Sequence, residues 1–173
     1  QLRAAMCSEK ELKVALINKW APGVHVFEEP EPIGDIGAEG GKVEKVKKEK
    51  PCPVPVLAEA GCKALPSGEE LQLYAPEDGG LMPPPTKEGV SGEGSANSNT
   101  LPYYIMDYGS ALIVEQLKVE PLHKVLDLCA APGGKSIAIA QFLNPVGGGH
   151  LTCNERNGER CARLKRNLND YLP

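Results

Sequence analysis

The sequence predicts an α/β fold class: the first half of a doubly wound parallel sheet, with an N-terminal helical segment and a long irregular insertion ahead of it. Two observations in the last two fifths of the chain carry this reading. Strand-like and helix-like patterns alternate from Leu101 onward. Within them the segment VLDLCAAPGGKS, residues 125–136, is an apolar strand feeding a Gly-rich loop that opens a helix. A third observation sets this region apart from the rest: 11 of the 16 prolines and 11 of the 19 glycines fall between Pro30 and Pro102.

In chain order, EKELKVALINKW, residues 9–20, places Leu12, Ala15, Leu16, Lys19 and Trp20 at helical spacing, and Pro22 with Gly23 stops the pattern. This predicts a short amphipathic helix with Trp20 as a packing residue rather than a ligand platform. From residue 28 to 100 few windows hold a period. The segment reads as an insertion or linker, mostly loop, with one extended piece at Pro53–Leu57. Its lysines from Lys42 to Lys50 are interleaved with Glu44 and Glu49, which marks a solvated charged stretch rather than an RNA contact.

Residues 109–118 suit a helix, Lys124–Leu128 a buried strand, and Ser136–Leu143 a second helix. Gly147–Gly149 marks a turn, His150–Asn154 a second strand, and Gly158–Leu172 a third helix with Cys161, Leu164, Leu168 and Leu172 on one face. The chain thus divides into residues 1–27, 28–100 and 101–173.

The net charge of -4 supplies no global basic field, so any nucleic-acid contact needs a local patch. The six cysteines form no CxxC pair and the three histidines stand away from ligand spacing, which predicts no metal site. Cysteines in or beside core strands suit reduced intracellular thiols better than a secreted disulfide framework. No run of 18 apolar residues suggests a membrane span. The sequence opens on Gln1, which leaves open both a removed targeting peptide and an upstream start.

Ligands in open α/β sheets bind at the carboxyl ends of strands, so the loop after Leu128 is a ligand site by position. A dinucleotide fingerprint needs GxGxxG, but the loop has only the adjacent pair Gly133 and Gly134. A phosphate loop needs GxxxxGK[ST]; Gly134, Lys135 and Ser136 fit its end while Cys129 takes the first glycine position. Pro132 also removes one N–H from such a cradle. A nucleoside-binding methyltransferase loop needs an acidic residue after the next strand, and Glu155 stands there, 21 residues beyond Gly134. Alone, Glu155 is equally a helix-start carboxylate favoured by the macrodipole. Asp127, inside an apolar strand, needs hydrogen bonds, and the backbone N–H groups of the following loop are the nearest donors.

VLDLCAAPGGKS, preceded by YYIMDYGSALIVEQL and followed by NERNGERCARLKRNLNDYLP, resembles the Sun (Fmu) family of S-adenosylmethionine-dependent RNA cytosine-5 methyltransferases. The likeness runs from Leu101 to Pro173, and LRAAMCSEKELKVALINKW is similar to the helical region ahead of that family's core. The resemblance implies a Rossmann-like methyltransferase domain whose cofactor half, residues 101–173, is present and incomplete. It implies S-adenosylmethionine as cofactor, with Cys129, Ala130, Ala131, Pro132, Gly133, Gly134 and Lys135 surrounding its methionine and ribose parts. Glu155 would then take the ribose hydroxyls, Arg160 would close the pocket, and Lys135 would face the active centre. On its own, Arg160 is equally one more base on a helix that carries Arg156, Arg163, Lys165 and Arg166.

In this family a cysteine thiolate adds to C6 of cytosine before C5 takes the methyl group. It carries the responsible cysteines after later strands, so none of the six here is assigned a catalytic role. Two functions follow as expectations. One is a longer enzyme acting on structured, ribosomal RNA. The other is an inactive remnant serving as a structural part of a ribosomal ribonucleoprotein, its fold completed by ribosomal or assembly-factor proteins. The likeness is to the mitochondrial branch; nucleolar or cytoplasmic placement is the alternative.

Overall fold

A computed structural model describes residues 12–21, 54–65, 71–86 and 100–173. The Lys42–Lys50 run, Cys7 and Cys52 lie outside them, as do residues 9–11 of the expected helix. The fold is mixed α/β with two sheets. The four-stranded antiparallel sheet has the order Cys62–Ala64, Leu73–Pro76, Lys13–Ile17, Tyr103–Asp107, and the two-stranded parallel sheet pairs Lys124–Asp127 with His150–Cys153. No helix among the described residues is long and apolar enough to cross a membrane.

The expected N-terminal helix is instead strand β1, Lys13–Ile17. The physical reason lies in its burial: Val14 to Asn18 are all buried, a contiguous run that no single helix face accommodates. As a central strand the segment sends Val14 and Leu16 into one apolar cluster with Leu73, Met106 and Ile137. Ala15 and Ile17 enter a second cluster with Leu57, Tyr74 and Tyr103 on the opposite face. A short apolar run serves either period, and here the sheet decided it.

The insertion is not irregular throughout. Helix α1, Pro55–Glu59, begins with proline in its first turn and buries Leu57 under the antiparallel sheet. It replaces the extended piece expected at Pro53–Leu57, of which Pro53 lies outside the described residues. Strands β2, Cys62–Ala64, and β3, Leu73–Pro76, pair antiparallel, and β3 then pairs with β1 through Ala15↔Tyr74. Strand β4, Tyr103–Asp107, completes the sheet with the register Lys13↔Asp107 to Ile17↔Tyr103.

The later elements fall where the periodicity puts them. These are α2 Tyr108–Gln116, β5 Lys124–Asp127, α3 Gly134–Ala140, β6 His150–Cys153 and α4 Gly158–Tyr171. Strands β5 and β6 are parallel, with Asp127↔Cys153 at their carboxyl ends. Ala111 and Val114 of α2 and Ile137 to Ile139 of α3 share one cluster with the antiparallel sheet, and Val125 and Leu151 pack against it from the parallel sheet. The expected buried strand β5 is covered on one face only: Leu126 is 57% exposed and Leu128 64%.

Asn18 joins the layers. Its amide donates to Leu101 O at 2.8 Å and Tyr171 O at 2.9 Å, and its Oδ1 accepts from Trp20 N–H and Gln141 Nε2. Trp20 itself is half-buried with the Lys19 ammonium 4.7 Å from its ring centroid, a cation–π contact that fits its packing role. Tyr171 at the end of α4 meets Tyr104 edge-on at 5.0 Å. Burial pushes the phenols of Tyr171 and Tyr104 up, as it does the thiols of Cys62 and Cys153. These groups fold in their neutral forms, so their contribution is complete below about pH 8 and is lost as rising pH ionises the unfolded chain first, thiols before phenols. The melting temperature is expected to fall between pH 8 and pH 10.5, less steeply in a Tyr171→Phe variant. Parallel profiles for the two proteins would remove Tyr171 from this account.

Candidate functional site

The loop after β5 forms one wall of an open cleft of about 320 Å³. Cys129, Ala130, Ala131, Pro132, Gly134 and Lys135 line this side, with Asp127 at the base. The opposite wall comes from the antiparallel sheet and α2: Lys13, Tyr104 to Asp107, and Ser110. Lys13 and Asp107 form an ion pair across the β1–β4 register, and Lys135 Nζ donates to Ser110 Oγ at 3.1 Å, bridging the two walls.

Side chains at strand ends hold the loop in shape. Asp127 Oδ1 accepts the Cys129 N–H at 3.3 Å, as the sequence leads one to expect, and Oδ2 also accepts the Ser136 hydroxyl at 2.7 Å. One carboxylate therefore ties the first loop residue to the first turn of α3. Asn154, at the end of β6, donates its N–H to Asp127 O at 2.8 Å and its amide to Leu128 O at 2.9 Å, and accepts the Ala130 N–H at 3.0 Å. Its part in the loop was not anticipated; a polar amide ending an apolar strand was the available signal. The Ala131–Pro132 peptide is cis. Gly133 turns the chain at φ 115°, a conformation that calls for glycine, and a Cβ there would stand 3.2 Å from the end of the Leu164 side chain.

Glu155 and Arg160 lie together but outside the cleft lining. The Glu155 side chain is 6% exposed; its Oε1 accepts the Asn157 N–H at 2.9 Å and its Oε2 stands 3.6 Å from Arg160 Nη2. That same Nη2 donates to Ala131 O at 2.8 Å. Glu155 is thus linked to the loop through Arg160. Gly133, which also stays out of the lining, accepts the Ile137 N–H through its carbonyl at 2.8 Å.

Of the cysteines expected to be non-catalytic, Cys129 is exposed at the cleft. Burial pushes the Cys153 thiol up, and Asp127 adds to this while a hydrogen bond with Ser136 works against it. Such a thiol stays protonated at neutral pH.

A strand, a glycine-turned loop and a helix surround the cleft, and a largely buried carboxylate follows the adjacent parallel strand. Residues 114–171 match the family model of the 16S rRNA methyltransferase RsmB/F. The chain is 45% identical over 73 residues to the 5-cytosine rRNA methyltransferase NSUN4 of Xenopus laevis, covering 42% of this chain and 17% of the relative. It is 46% identical over 71 residues to the mitochondrial tRNA (cytosine(34)-C(5))-methyltransferase of Danio rerio, covering 41% of this chain and 18% of the relative. The chain therefore spans less than a fifth of the length of these two relatives. The crystal structure of PH0851 overlays 98% of this chain and 30% of its own, with a TM-score of 0.47 and 19% identity.

Proposed function

We propose that this chain carries the S-adenosylmethionine-binding half of a Rossmann-like RNA methyltransferase that methylates C5 of cytosine in structured RNA, with ribosomal RNA as the favoured substrate. The single observation that carries this reading is the pairing of the CAAPGGK loop with Glu155 at the carboxyl end of the neighbouring parallel strand. In open α/β sheets that arrangement spans a nucleoside, with loop glycines beside the ligand and the acidic residue at the ribose. The likeness to mitochondrial relatives supports a mitochondrial site of action.

The residues present fit that cofactor. Glu155 offers a carboxylate held by the Asn157 N–H and the Arg160 guanidinium, with acceptor capacity left for vicinal hydroxyls. A cofactor held at its ribose by Glu155 would have its amino-acid end at the cleft, where Asp127 and Lys135 supply one negative and one positive group. When bound, S-adenosylmethionine supplies an electrophilic methyl group. The chain's own residues orient it: Asp127 and Asn154 fix the loop, and Ser110 holds the Lys135 ammonium at the cleft. Residues 101–173 form the cofactor part in this proposal, and the antiparallel sheet supplies the second wall.

The test is calorimetric titration of S-adenosylmethionine against the chain and a Glu155→Ala variant. Loss of hydrogen bonds to a charged acceptor should weaken binding by about 1.5 to 3 kcal/mol. Equal affinity of the two proteins would sink the ribose role of Glu155.

A further inference from the structure

Helix α4 touches the back of the loop with two side chains seven residues apart. Arg160 donates to Ala131 O at 2.8 Å and Asn167 Nδ2 donates to Pro132 O at 2.6 Å. Seven residues are nearly two helical turns, so both donors stand on one flank of α4. Leu164, between them, packs in a cluster with Ala130 and Ala131. Gly133 is pressed against the same surface, since a Cβ there would stand 3.6 Å from Asn167 Cβ as well as 3.2 Å from Leu164.

The front of this segment, Ala131, Pro132 and Gly134, lines the cleft. Its own means of anchorage are few: Pro132 has no N–H to give, and the Ala130 N–H is already committed to Asn154 O. Side chains from α4 supply what the backbone lacks. Arg160 divides its guanidinium between Ala131 O and Glu155, whereas the Asn167 amide reaches Pro132, at the cleft.

We propose that Asn167 is a positioning residue for the amino-acid end of the cofactor, acting through the Pro132 carbonyl to hold the cleft wall in place. This rests on the S-adenosylmethionine reading above. Asn167 touches the loop from behind, so its effect differs from that of Glu155: it sets the wall met by the methionyl group and leaves the ribose anchor intact.

The full chain, its Asn167→Ala and Asn167→Asp variants, and Glu155→Ala are to be titrated with S-adenosylmethionine and with 5′-methylthioadenosine, which lacks the amino-acid end. Asn167→Ala is expected to bind S-adenosylmethionine about fivefold to tenfold more weakly and 5′-methylthioadenosine within about twofold of the parent. Asn167→Asp keeps the size of the side chain but loses the donor, and is expected to be at least as impaired. Glu155→Ala should weaken both ligands. Alanine is the better helix former, so the melting temperature of Asn167→Ala should hold or rise, which separates positioning from stability. Unchanged S-adenosylmethionine affinity in Asn167→Ala, or equal weakening of both ligands, overturns the proposal. Failure of the parent chain to bind either ligand overturns the cofactor reading and this inference with it.

Discussion

Replacing Asn18 with alanine is expected to lower the stability of the chain by about 3 kcal/mol, because buried carbonyls left without donors cost roughly 1 to 3 kcal/mol each. Asn18 is 1% exposed, and its amide satisfies Leu101 O and Tyr171 O while its carbonyl accepts from Trp20 and Gln141. Alanine fills none of these roles, and the side chain it removes leaves a gap too enclosed for easy solvent access. The link that fails is between the antiparallel sheet and the end of α4, since Leu101 precedes β4 and Tyr171 closes α4. Thermal unfolding should show a midpoint lower by roughly 10 °C for a chain of this length. A loss below about 1 kcal/mol would mean that water or a shifted neighbour replaces the amide.

Asp127→Ala is expected to abolish measurable cofactor binding under conditions where the parent saturates. Its carboxylate makes two charge-assisted bonds, to the Cys129 N–H and the Ser136 hydroxyl, together worth about 3 kcal/mol or more. That is a loss of at least a hundredfold if loop order is what the ligand needs. Asp127→Asn retains one acceptor oxygen, can still hold either the Cys129 N–H or the Ser136 hydroxyl, and should fall between. The measurement is the same titration, read beside circular dichroism to establish that the fold persists. Parent-like affinity in a folded Asp127→Ala chain would show that the loop keeps its shape without the carboxylate.

The reach of the sequence differs sharply between the two ends of the chain. From Tyr108 onward each element carries several turns of period or a glycine-marked loop, and α2, β5, α3, β6 and α4 all fall within a few residues of the pattern. Asp127 was legible because a carboxylate in an apolar strand must find donors close by. The KVALI segment was not, because five apolar or half-apolar residues suit a helix as well as a strand until neighbours are known. The pieces at Pro55–Glu59, Cys62–Ala64 and Leu73–Pro76 are three to five residues long, too short to show a period against a Pro- and Gly-rich background. Asn154 and Asn167 were missed for a different reason: an amide becomes significant only when folding sets a carbonyl in front of it.

The register that joins Lys13 to Asp107 pairs residues 94 apart in sequence. Pairing so distant carries a loop-closure penalty and slows folding relative to contacts between neighbours. During synthesis β1 emerges early, with Val14 to Ile17 apolar on both faces, and waits until Tyr103–Asp107 follows before its second edge is covered. The same pairing event builds the cleft's second wall, because β4 brings Tyr104, Asp107 and then Ser110 opposite the glycine loop. The strand that closes the sheet is therefore also the strand that walls the pocket, so the pocket cannot be complete before the sheet is.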